Sequence, residues 1–263
     1  MKKIGFIGMG NMGYALLKGC SQKYSKDDFI IFDSNTERLE EVASEFGIAY
    51  ASSNAELLDD CKVVVLAIKP QVYNEVIEPV ADHFRDDHII ISLAPGKTVE
   101  NVSNMTTKGR VVRTMPNTPA LVNAGMTGIC YDETKMTDEE IDVINSIFES
   151  IGKFKKVDES LMDAVVCASG SSPAYVFMFI DELAKSCEEL GMDKQDAIDF
   201  VSQTVFGSAK LLMETGEDPQ VLKERVCSPG GTTIEGVHAL EENDFGEAIR
   251  KATQACNDKC KKL

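Results

Sequence analysis

Residues 2–13 read Lys2-Lys3-Ile4-Gly5-Phe6-Ile7-Gly8-Met9-Gly10-Asn11-Met12-Gly13, an apolar run that leads into glycines with the spacing G-x-G-x-x-G. The run predicts a short strand, and the apolar residues 15–17 after it predict a helix. In such a turn the first glycine permits a tight bend, the second lets the backbone approach a pyrophosphate, and the third lets the helix lie close to the strand. The stretch therefore predicts the opening strand, turn and helix of a dinucleotide-binding α/β fold.

A second apolar run supports this interpretation. Residues 29–32 predict a strand that ends at Asp33, twenty residues after Gly13. An acidic side chain in this position can accept hydrogen bonds from a ribose hydroxyl of the dinucleotide. The spacing favours a cofactor site over a surface turn that merely tolerates glycine.

The composition excludes several classes of partner. Among 263 residues 43 are acidic and 27 are basic, so we expect no nucleic acid and no anionic membrane surface as a partner. The first apolar run is too short for a secretory signal, and the most attractive candidate for a membrane span, the uncharged residues 164–180, contains Gly170 and Pro173. We therefore expect a cytoplasmic protein without a membrane span.

The cysteines give no sign of a metal site. Eight cysteines and three histidines are scattered without a C-x-x-C pair, which predicts reduced thiols and no bound metal. Cys256 and Cys260 share one helical face, but no further ligand lies near them in the sequence. Packing is the simpler interpretation for both.

The first half of the chain alternates strand-like and helix-like segments, which is typical of a parallel sheet with crossover helices. The predicted strands are residues 4–7, 29–32, 63–68, 88–93, 110–114, 122–131 and 152–157. Three capping boxes predict helix starts, namely Ser34 with Glu37, Ser53 with Glu56 and Thr137 with Glu140.

The second half is predicted to be all-helical, with helices over residues 173–190, 194–215, 219–226 and 233 to the end. We expect an N-terminal Rossmann domain with a mostly parallel sheet at residues 1–157, followed by an all-α domain at residues 158–263. Apolar patches on these helices, such as those at Phe177 and Phe206, predict burial against a second subunit.

The segment Ser228-Pro229-Gly230-Gly231-Thr232-Thr233 is rich in hydroxyls and glycine and leads into a helical pattern. Exposed backbone N–H groups at a helix N-terminus favour a small anion such as a carboxylate. The same residues also suit an ordinary helix cap.

Three further stretches carry a family resemblance. They are Ala67-Ile68-Lys69-Pro70-Gln71, Arg113-Thr114-Met115-Pro116-Asn117-Thr118-Pro119-Ala120 and Ser169-Gly170-Ser171-Ser172-Pro173-Ala174-Tyr175. Together with the glycine pattern and the 228–233 segment, the chain resembles the pyrroline-5-carboxylate reductases over essentially its whole length. The resemblance implies a Rossmann domain, a helical dimerisation and substrate-site domain, and further assembly of the dimers.

The resemblance also implies which residues bind the cofactor, NADH or NADPH. They are Ile7, Gly8, Met9, Gly10, Asn11, Met12, Ser34, Asn54, Ala67, Ile68, Lys69, Pro70, Leu93, Ala94 and Pro95. The family more usually has alanine where Pro95 stands, and proline removes an N–H from that turn. Ser172 replaces a glycine and suits an N-cap with Pro173 at the first helical position.

For the substrate, a cyclic imine carboxylate, the resemblance implies Ser228, Gly231, Thr232, Thr233 and Glu159. The implied reaction is hydride transfer to the C=N carbon of 1-pyrroline-5-carboxylate, which gives L-proline. No strong acid stands out in the motifs, and a protonated iminium already accepts a hydride well. We therefore expect the Thr233 hydroxyl to hydrogen-bond the ring nitrogen, and the 228–233 turn of a second subunit to complete the site.

Asp33 bears on the choice between the two cofactors. A carboxylate accepts hydrogen bonds from a ribose but repels a 2′-phosphate, whereas Ser34 matches a family position that can contact the phosphate. Arg38, one helical turn further on, can supply a cation for that phosphate or be a solvated helix residue, and its ordinary amphipathic position favours the second. The sequence therefore favours NADH, with NADPH still usable.

Two other functions remain open on the sequence. A hydroxyacid-dehydrogenase-like enzyme that reduces C=O would need a lysine acid/base, and Lys185 or Lys210 would have to serve. A nucleotide-binding sensor without catalysis would signal through its helical dimer face.

Overall fold

The computed structural model describes residues 2–262 and divides into two compact units. The first contains the described residues up to Ser171 together with those from Cys256 on, and the second contains Ser172–Ala255. The first unit is built on an eight-stranded sheet, and the second is helical throughout.

The sheet has the strand order β3-β2-β1-β4-β5-β6-β7-β8. The strands are β1 (Lys2–Ile7), β2 (Phe29–Phe32), β3 (Ala49–Tyr50), β4 (Cys61–Leu66), β5 (Ile89–Ser92), β6 (Arg110–Met115), β7 (Gly125–Cys130) and β8 (Gly152–Lys156). All neighbours are parallel except β6 and β7, which are antiparallel. This is the mostly parallel sheet expected from the sequence.

Helices cover both faces of this sheet. They are α1 (Asn11–Cys20), α2 (Thr36–Phe46), α3 (Asn54–Asp60), α4 (Tyr73–Ile77), α5 (Val99–Thr106) and α6 (Asp138–Glu149). On β4, Val63 and Val65 belong to the core formed with α1, α2 and α6, whereas Val64 and Leu66 belong to the core formed with α3, α4 and α5. Burial on both sides explains why the central strands are continuous apolar runs.

The capping predictions had mixed outcomes. The box of Thr137 with Glu140 is present at α6, and Ser53 caps α3 by accepting from the Glu56 N–H. The Glu56 carboxylate, however, binds the N–H and hydroxyl of Ser52 rather than closing a box on Ser53. The predicted box of Ser34 with Glu37 is wrong, because the N-cap of α2 is Asn35, whose side chain accepts from the Arg38 N–H.

The first unit extends beyond the predicted boundary at residue 157. After β8, α7 (Met162–Val165) and a π-helical segment (Val166–Gly170) lie against the sheet. A Cβ on Gly128 of β7 would lie 2.7 Å from Val165 Cγ1, and one on Gly170 would lie 2.5 Å from Met115 Cε. The strand pattern ends near residue 157, but contact with the sheet continues to Gly170 and the first unit to Ser171.

The second unit contains α8 (Ser172–Glu189), α9 (Lys194–Thr215), α10 (Pro219–Val226) and α11 (Thr232–Glu242), and α12 (Phe245–Cys260) leads back to the first unit. The bounds of α9 and α10 are those predicted. Ser172 is the first residue of α8 rather than its N-cap. The single helix predicted from residue 233 is divided before α12, where Asp244 has a φ of +59°.

Few side chains of the second unit are buried within it. Its buried apolar cluster consists of Ala184, Ala197 and Val201. In contrast, Phe177, Met178, Phe200 and Phe206 are each more than half exposed. These helices present apolar surface of the kind that subunits cover in an assembly.

One helical stretch, Glu159–Glu189, meets the criteria of length and mean hydropathy for crossing a membrane, and 11% of its most apolar window is buried. The sequence had predicted no such span. A membrane span is indicated here by length and composition alone. Helices at the subunit interfaces of globular assemblies have the same length and composition.

Candidate cofactor and substrate site

The glycine turn, residues 8–13, connects β1 to α1 through contacts that exclude larger side chains. Gly8 has a φ of +99°, and its N–H donates to the Phe32 carbonyl at 2.8 Å. A Cβ on Gly8 would lie 2.7 Å from the Ala67 carbonyl oxygen, and one on Gly13 would clash with the Gly8 carbonyl. The first and third glycines are therefore required by the fold itself.

Gly10 differs because, apart from its chain neighbours, no atom of residues 2–262 lies within 4 Å of a Cβ built on it. It is the N-cap residue of α1 and has no side chain to cap the helix. Gly10 and Asn11 are exposed, so the first N–H groups of α1 face open space. A helix N-terminus of this kind suits a pyrophosphate.

The other predicted cofactor residues follow the ends of neighbouring strands. Asp33 and Ser34 follow β2, Asn54 begins α3 after β3, residues 67–70 follow β4, and residues 93–95 follow β5. The carboxyl ends of parallel strands meet at one edge of a sheet, and the connections from β1 and β4 run in opposite directions. The crevice at this switch point is where doubly wound sheets bind dinucleotides.

Two details of this edge also suit a bound dinucleotide. The side-chain oxygen of Asn54 is buried and has no hydrogen-bond partner among residues 2–262. Lys69 is exposed before the turn Pro70–Val72, and its ammonium group forms no ion pair within the part of the chain described. An unused acceptor and a cation can therefore serve a ligand.

Pro95 is compatible with the local backbone. Residues 94–97 form a turn in which the Lys97 N–H approaches the Ala94 carbonyl at 3.4 Å and Gly96 has a φ of +75°. A proline followed by a glycine with positive φ is the preferred pair for a type II turn. The missing N–H of Pro95 is not needed there.

Tyr73, which sequence reasoning missed, supports two of these strand ends. Its hydroxyl lies 3.2 Å from the Leu66 carbonyl and 3.0 Å from the Ser92 hydroxyl, so it joins the last residues of β4 and β5. Burial raises the pKa of Tyr73 to about 12, so the phenol remains a neutral donor. A buried tyrosine in a short helix gives no sequence signal for this role.

Glu159 lies beside the turn that follows β5. Its Oε1 accepts hydrogen bonds from the Val99 N–H at 2.8 Å and from Arg113 Nη1 at 3.1 Å. Arg113 is itself buried and also approaches Asp163 at 3.8 Å. Glu159, Arg113 and Asp163 line a cavity of about 480 Å³ together with Gly96 and Thr98, so Glu159 is fixed near the 93–95 turn.

The 228–233 turn joins α10 to α11. Gly230 has a φ of +68°, the Gly231 N–H donates to the Ser228 carbonyl at 3.0 Å, and Gly231 is the N-cap residue of α11. Ser228, Thr232 and Thr233 are exposed, and within residues 2–262 none of their hydroxyls has a hydrogen-bond partner. The turn therefore presents free hydroxyls and free N–H groups at a helix N-terminus.

The residues required by the rival interpretations are placed less favourably. Lys185 pairs with Asp181 and Glu182 on the exposed face of α8, and these two carboxylates raise its pKa further. Lys210 is exposed on α9 and lies 3.7 Å from Glu214. Neither resembles a buried acid/base, and in residues 2–262 no three metal-ligating side chains come together.

The fold and the strand-end crevice define a nicotinamide-dinucleotide oxidoreductase of the Rossmann type. Residues 159–263 match a family model described as pyrroline-5-carboxylate reductase dimerisation, and residues 3–96 match one described as NADP oxidoreductase, coenzyme F420-dependent. A pyrroline-5-carboxylate reductase of Escherichia coli (strain K12) is 40% identical over 265 residues, which cover 100% of this chain and 98% of that protein. The chain belongs to the pyrroline-5-carboxylate reductase family, as its motifs predicted.

Solved structures agree with this assignment. A pyrroline-5-carboxylate reductase from Coxiella burnetii has a TM-score of 0.90 at 31% identity and covers 99% of this chain and 98% of its own. A pyrroline carboxylate reductase from Plasmodium falciparum, solved with NADP bound, has a TM-score of 0.87 at 30% identity. The match covers 99% of this chain and 97% of that one. The predicted fold class, a Rossmann domain followed by a helical domain, is confirmed.

Proposed function

We propose that this protein reduces 1-pyrroline-5-carboxylate to L-proline with a reduced nicotinamide dinucleotide. The observation that carries this proposal is the full-length relation to pyrroline-5-carboxylate reductases. The open glycine turn and the exposed 228–233 turn supply what the reaction needs, a dinucleotide site and an anion site. The substrate is a small carboxylate, which suits the second of these.

Substrate binding is assigned to residues of the 228–233 turn and to Glu159. The N–H groups of Thr232 and Thr233 and the Ser228 hydroxyl hold the carboxylate, because free donors at a helix N-terminus stabilise a negative charge. Gly231 shapes the turn, since its own N–H is bonded to the Ser228 carbonyl. Glu159 is held by Arg113 and the Val99 N–H, which leaves its second oxygen to face the substrate.

The chemistry asks for orientation more than for acid catalysis. The bound reduced nicotinamide supplies the hydride that the imine carbon accepts. A protonated imine needs no further activation, so the protein gains most by fixing the reactants in contact. Thr233 is the one catalytic candidate, since its hydroxyl can hydrogen-bond the ring nitrogen while its N–H serves the carboxylate.

NADH is the proposed preferred cofactor, and NADPH is also used. Asp33 places a carboxylate at the end of β2. Repulsion between this carboxylate and a 2′-phosphate at contact distance would cost on the order of a few kcal/mol. Asp33→Asn removes the charge but keeps an acceptor, so kcat/KM for NADPH should rise relative to that for NADH. A wild-type preference for NADPH would show that Asp33 does not govern the choice.

A homodimer is proposed as the working form. The matched dimerisation model covers the helices whose large apolar side chains are exposed, and a second copy of these helices would cover them. The same cover accounts for the apolar stretch Glu159–Glu189 without a membrane, which agrees with a cytoplasmic location. Further assembly of dimers remains a prediction.

The decisive experiment is a turnover assay. Purified protein is mixed with 1-pyrroline-5-carboxylate and NADH or NADPH, and the loss of reduced cofactor is compared with formation of proline. Equal rates of cofactor oxidation and proline formation support the proposal. Reduction of 2-hydroxy acid precursors instead would favour a C=O reductase, and cofactor binding without any turnover would favour a sensor.

A further inference from the structure

A ring of four hydrogen bonds joins the glycine turn to the turn between β2 and α2. The carboxylate of Asp33 accepts from the Met9 N–H at 2.6 Å through Oδ2 and from the Asn35 N–H at 2.8 Å through Oδ1. The Asn35 side chain accepts from the Arg38 N–H at 3.1 Å. Arg38 Nε closes the ring by donating to the Met9 carbonyl at 3.0 Å.

The side chain of Arg38 is fixed on further sides. Its Nη1 donates to Glu41 at 2.7 Å, and its guanidinium carbon lies 4.9 Å from the centre of the Tyr14 ring. The Tyr14 hydroxyl in turn donates to Glu45 at 2.7 Å, and that hydrogen bond raises the pKa of the phenol. The interpretation of Arg38 as a freely solvated helix residue is therefore wrong.

The contact with Met9 matters because of what the peptide group carries. The Met9 carbonyl and the Gly10 N–H belong to one planar unit and point in opposite directions. Gly10 has no side chain, and apart from its chain neighbours no described residue lies within 4 Å of the place that its Cβ would take, so side-chain packing at Gly10 does not hold this unit. Holding the carbonyl therefore fixes the direction of the Gly10 N–H, one of the donors at the open N-terminus of α1.

We propose that Arg38 is a positioning residue for the cofactor, which acts through the Met9 carbonyl to orient the Gly10 N–H toward a bound pyrophosphate. Asp33 holds the preceding peptide group in the same way. The inference rests on the proposed use of a nicotinamide dinucleotide. Because the pyrophosphate is common to NADH and NADPH, loss of Arg38 affects both cofactors alike.

The test compares two variants. Arg38→Met keeps most of the aliphatic part of the side chain but removes its hydrogen-bond donors, and Arg38→Lys keeps a positively charged donor. Dissociation constants for NADH and NADPH are measured from the fluorescence of the bound nicotinamide, without substrate. Arg38→Met should weaken both by about tenfold, as expected for one charge-assisted hydrogen bond, and Arg38→Lys should recover part of the loss. The kcat at saturating cofactor should stay within about twofold, because the reacting groups are unchanged.

Arg250→Met is the matched control. Arg250 also forms a pair three residues away on a helix, with Glu247 at 2.8 Å, but it lies far from the glycine turn in the sequence and on the exposed face of α12. Cofactor affinity should not change in this variant.

Three outcomes would overturn the proposal. Unchanged affinity for both cofactors in Arg38→Met would show that the Met9 contact does not matter. A loss confined to NADPH would show that Arg38 meets the 2′-phosphate instead. A loss in Arg38→Lys as large as in Arg38→Met, with an equally lowered melting temperature, would indicate a purely structural role. Binding of NADH by the wild type without turnover would refute the proposed function but leave this test intact.

Discussion

At the scale of single residues, Thr233 is the clearest case of a side chain left free for a ligand. Its hydroxyl is exposed in the first turn of α11 and is unpaired within residues 2–262. Thr233→Ala should lower kcat/KM for 1-pyrroline-5-carboxylate by about tenfold, the effect of losing one hydrogen bond to a charged group, with unchanged NADH affinity.

Two variants complete this measurement. Thr233→Ser should retain most of the activity because it keeps the hydroxyl. Thr215→Ala, which removes a hydroxyl bonded to the Leu211 carbonyl on α9, should behave as wild type. Unchanged kinetics in Thr233→Ala would remove Thr233 from the mechanism.

Glu140 is a buried carboxylate whose charge stabilises the folded protein. Burial alone raises the pKa of this carboxyl, but hydrogen bonds from Arg110 at 2.5 and 2.8 Å, from the Thr137 N–H and from Lys62 bring it down to about 2. A carboxyl with a depressed folded pKa stabilises the protein above its unfolded pKa and loses that stabilisation as the pH falls. The contribution is on the order of 3 kcal/mol at neutral pH.

We therefore expect the free energy of unfolding to fall as the pH is lowered from about 4.5 toward 2, and Glu140→Gln to flatten this dependence. Urea unfolding at a series of pH values measures both. Glu139→Gln is the control, since Glu139 is an exposed neighbour on the same helix. An equal slope in Glu140→Gln and wild type would contradict the assignment.

At the scale of elements, the glycines of the turn have different roles, because some are required for folding and Gly10 is required for cofactor binding. Gly10 has a φ of −68° and open space around a Cβ, so Gly10→Ala should fold normally, with its melting temperature unchanged. The added methyl group would occupy the place of the pyrophosphate, and NADH affinity should fall by at least about tenfold. Gly13→Ala should lower the melting temperature as well, because its Cβ would meet the Gly8 carbonyl. Tight NADH binding by Gly10→Ala would show that the pyrophosphate lies elsewhere.

Elements with a strong local signal were predicted from the sequence, and the others were not. Continuous apolar runs identified the central strands, and glycine after α9 marked its end, where Gly216 has a φ of +65°. The two-residue β3 has both side chains exposed and therefore no apolar pattern. The break before α12 occurs at Asp244, and aspartate adopts a positive φ less readily than glycine, so its signal is weaker.

The candidate site shows the same division. Residues that follow parallel strands could be predicted because topology alone brings strand ends to one edge. The roles of Arg38, Tyr73 and Arg113 depend on where a long side chain reaches across to another element. Spacing in the sequence does not determine that reach, so only the structure revealed their contacts with Met9, with the ends of β4 and β5, and with Glu159.

At the scale of the whole molecule, the second unit has only a small buried core of its own. Three small or medium side chains form its buried cluster, whereas aromatic and methionine side chains of α8 and α9 are exposed. Burying apolar surface contributes roughly 25 cal/mol per Å², so covering these helices with a second copy is the direct way to stabilise them. The assembly is thus expected to be part of the fold rather than an addition to it.

If two copies share the helical units, each active site can draw its dinucleotide crevice from one copy and its 228–233 turn from the other. Mixing two weakened variants, assayed at subsaturating NADH and substrate, tests this. Gly10→Ala lacks the cofactor site and Thr233→Ala lacks the substrate hydroxyl, so a mixed dimer with shared sites has one site with both defects and one with neither. After unfolding and refolding together in equal amounts, half of the dimers are mixed, and activity should return to about a quarter of the wild-type value. Sites built within single chains would give no recovery above the two variants measured separately, and an active monomer in sedimentation would contradict the dimer itself.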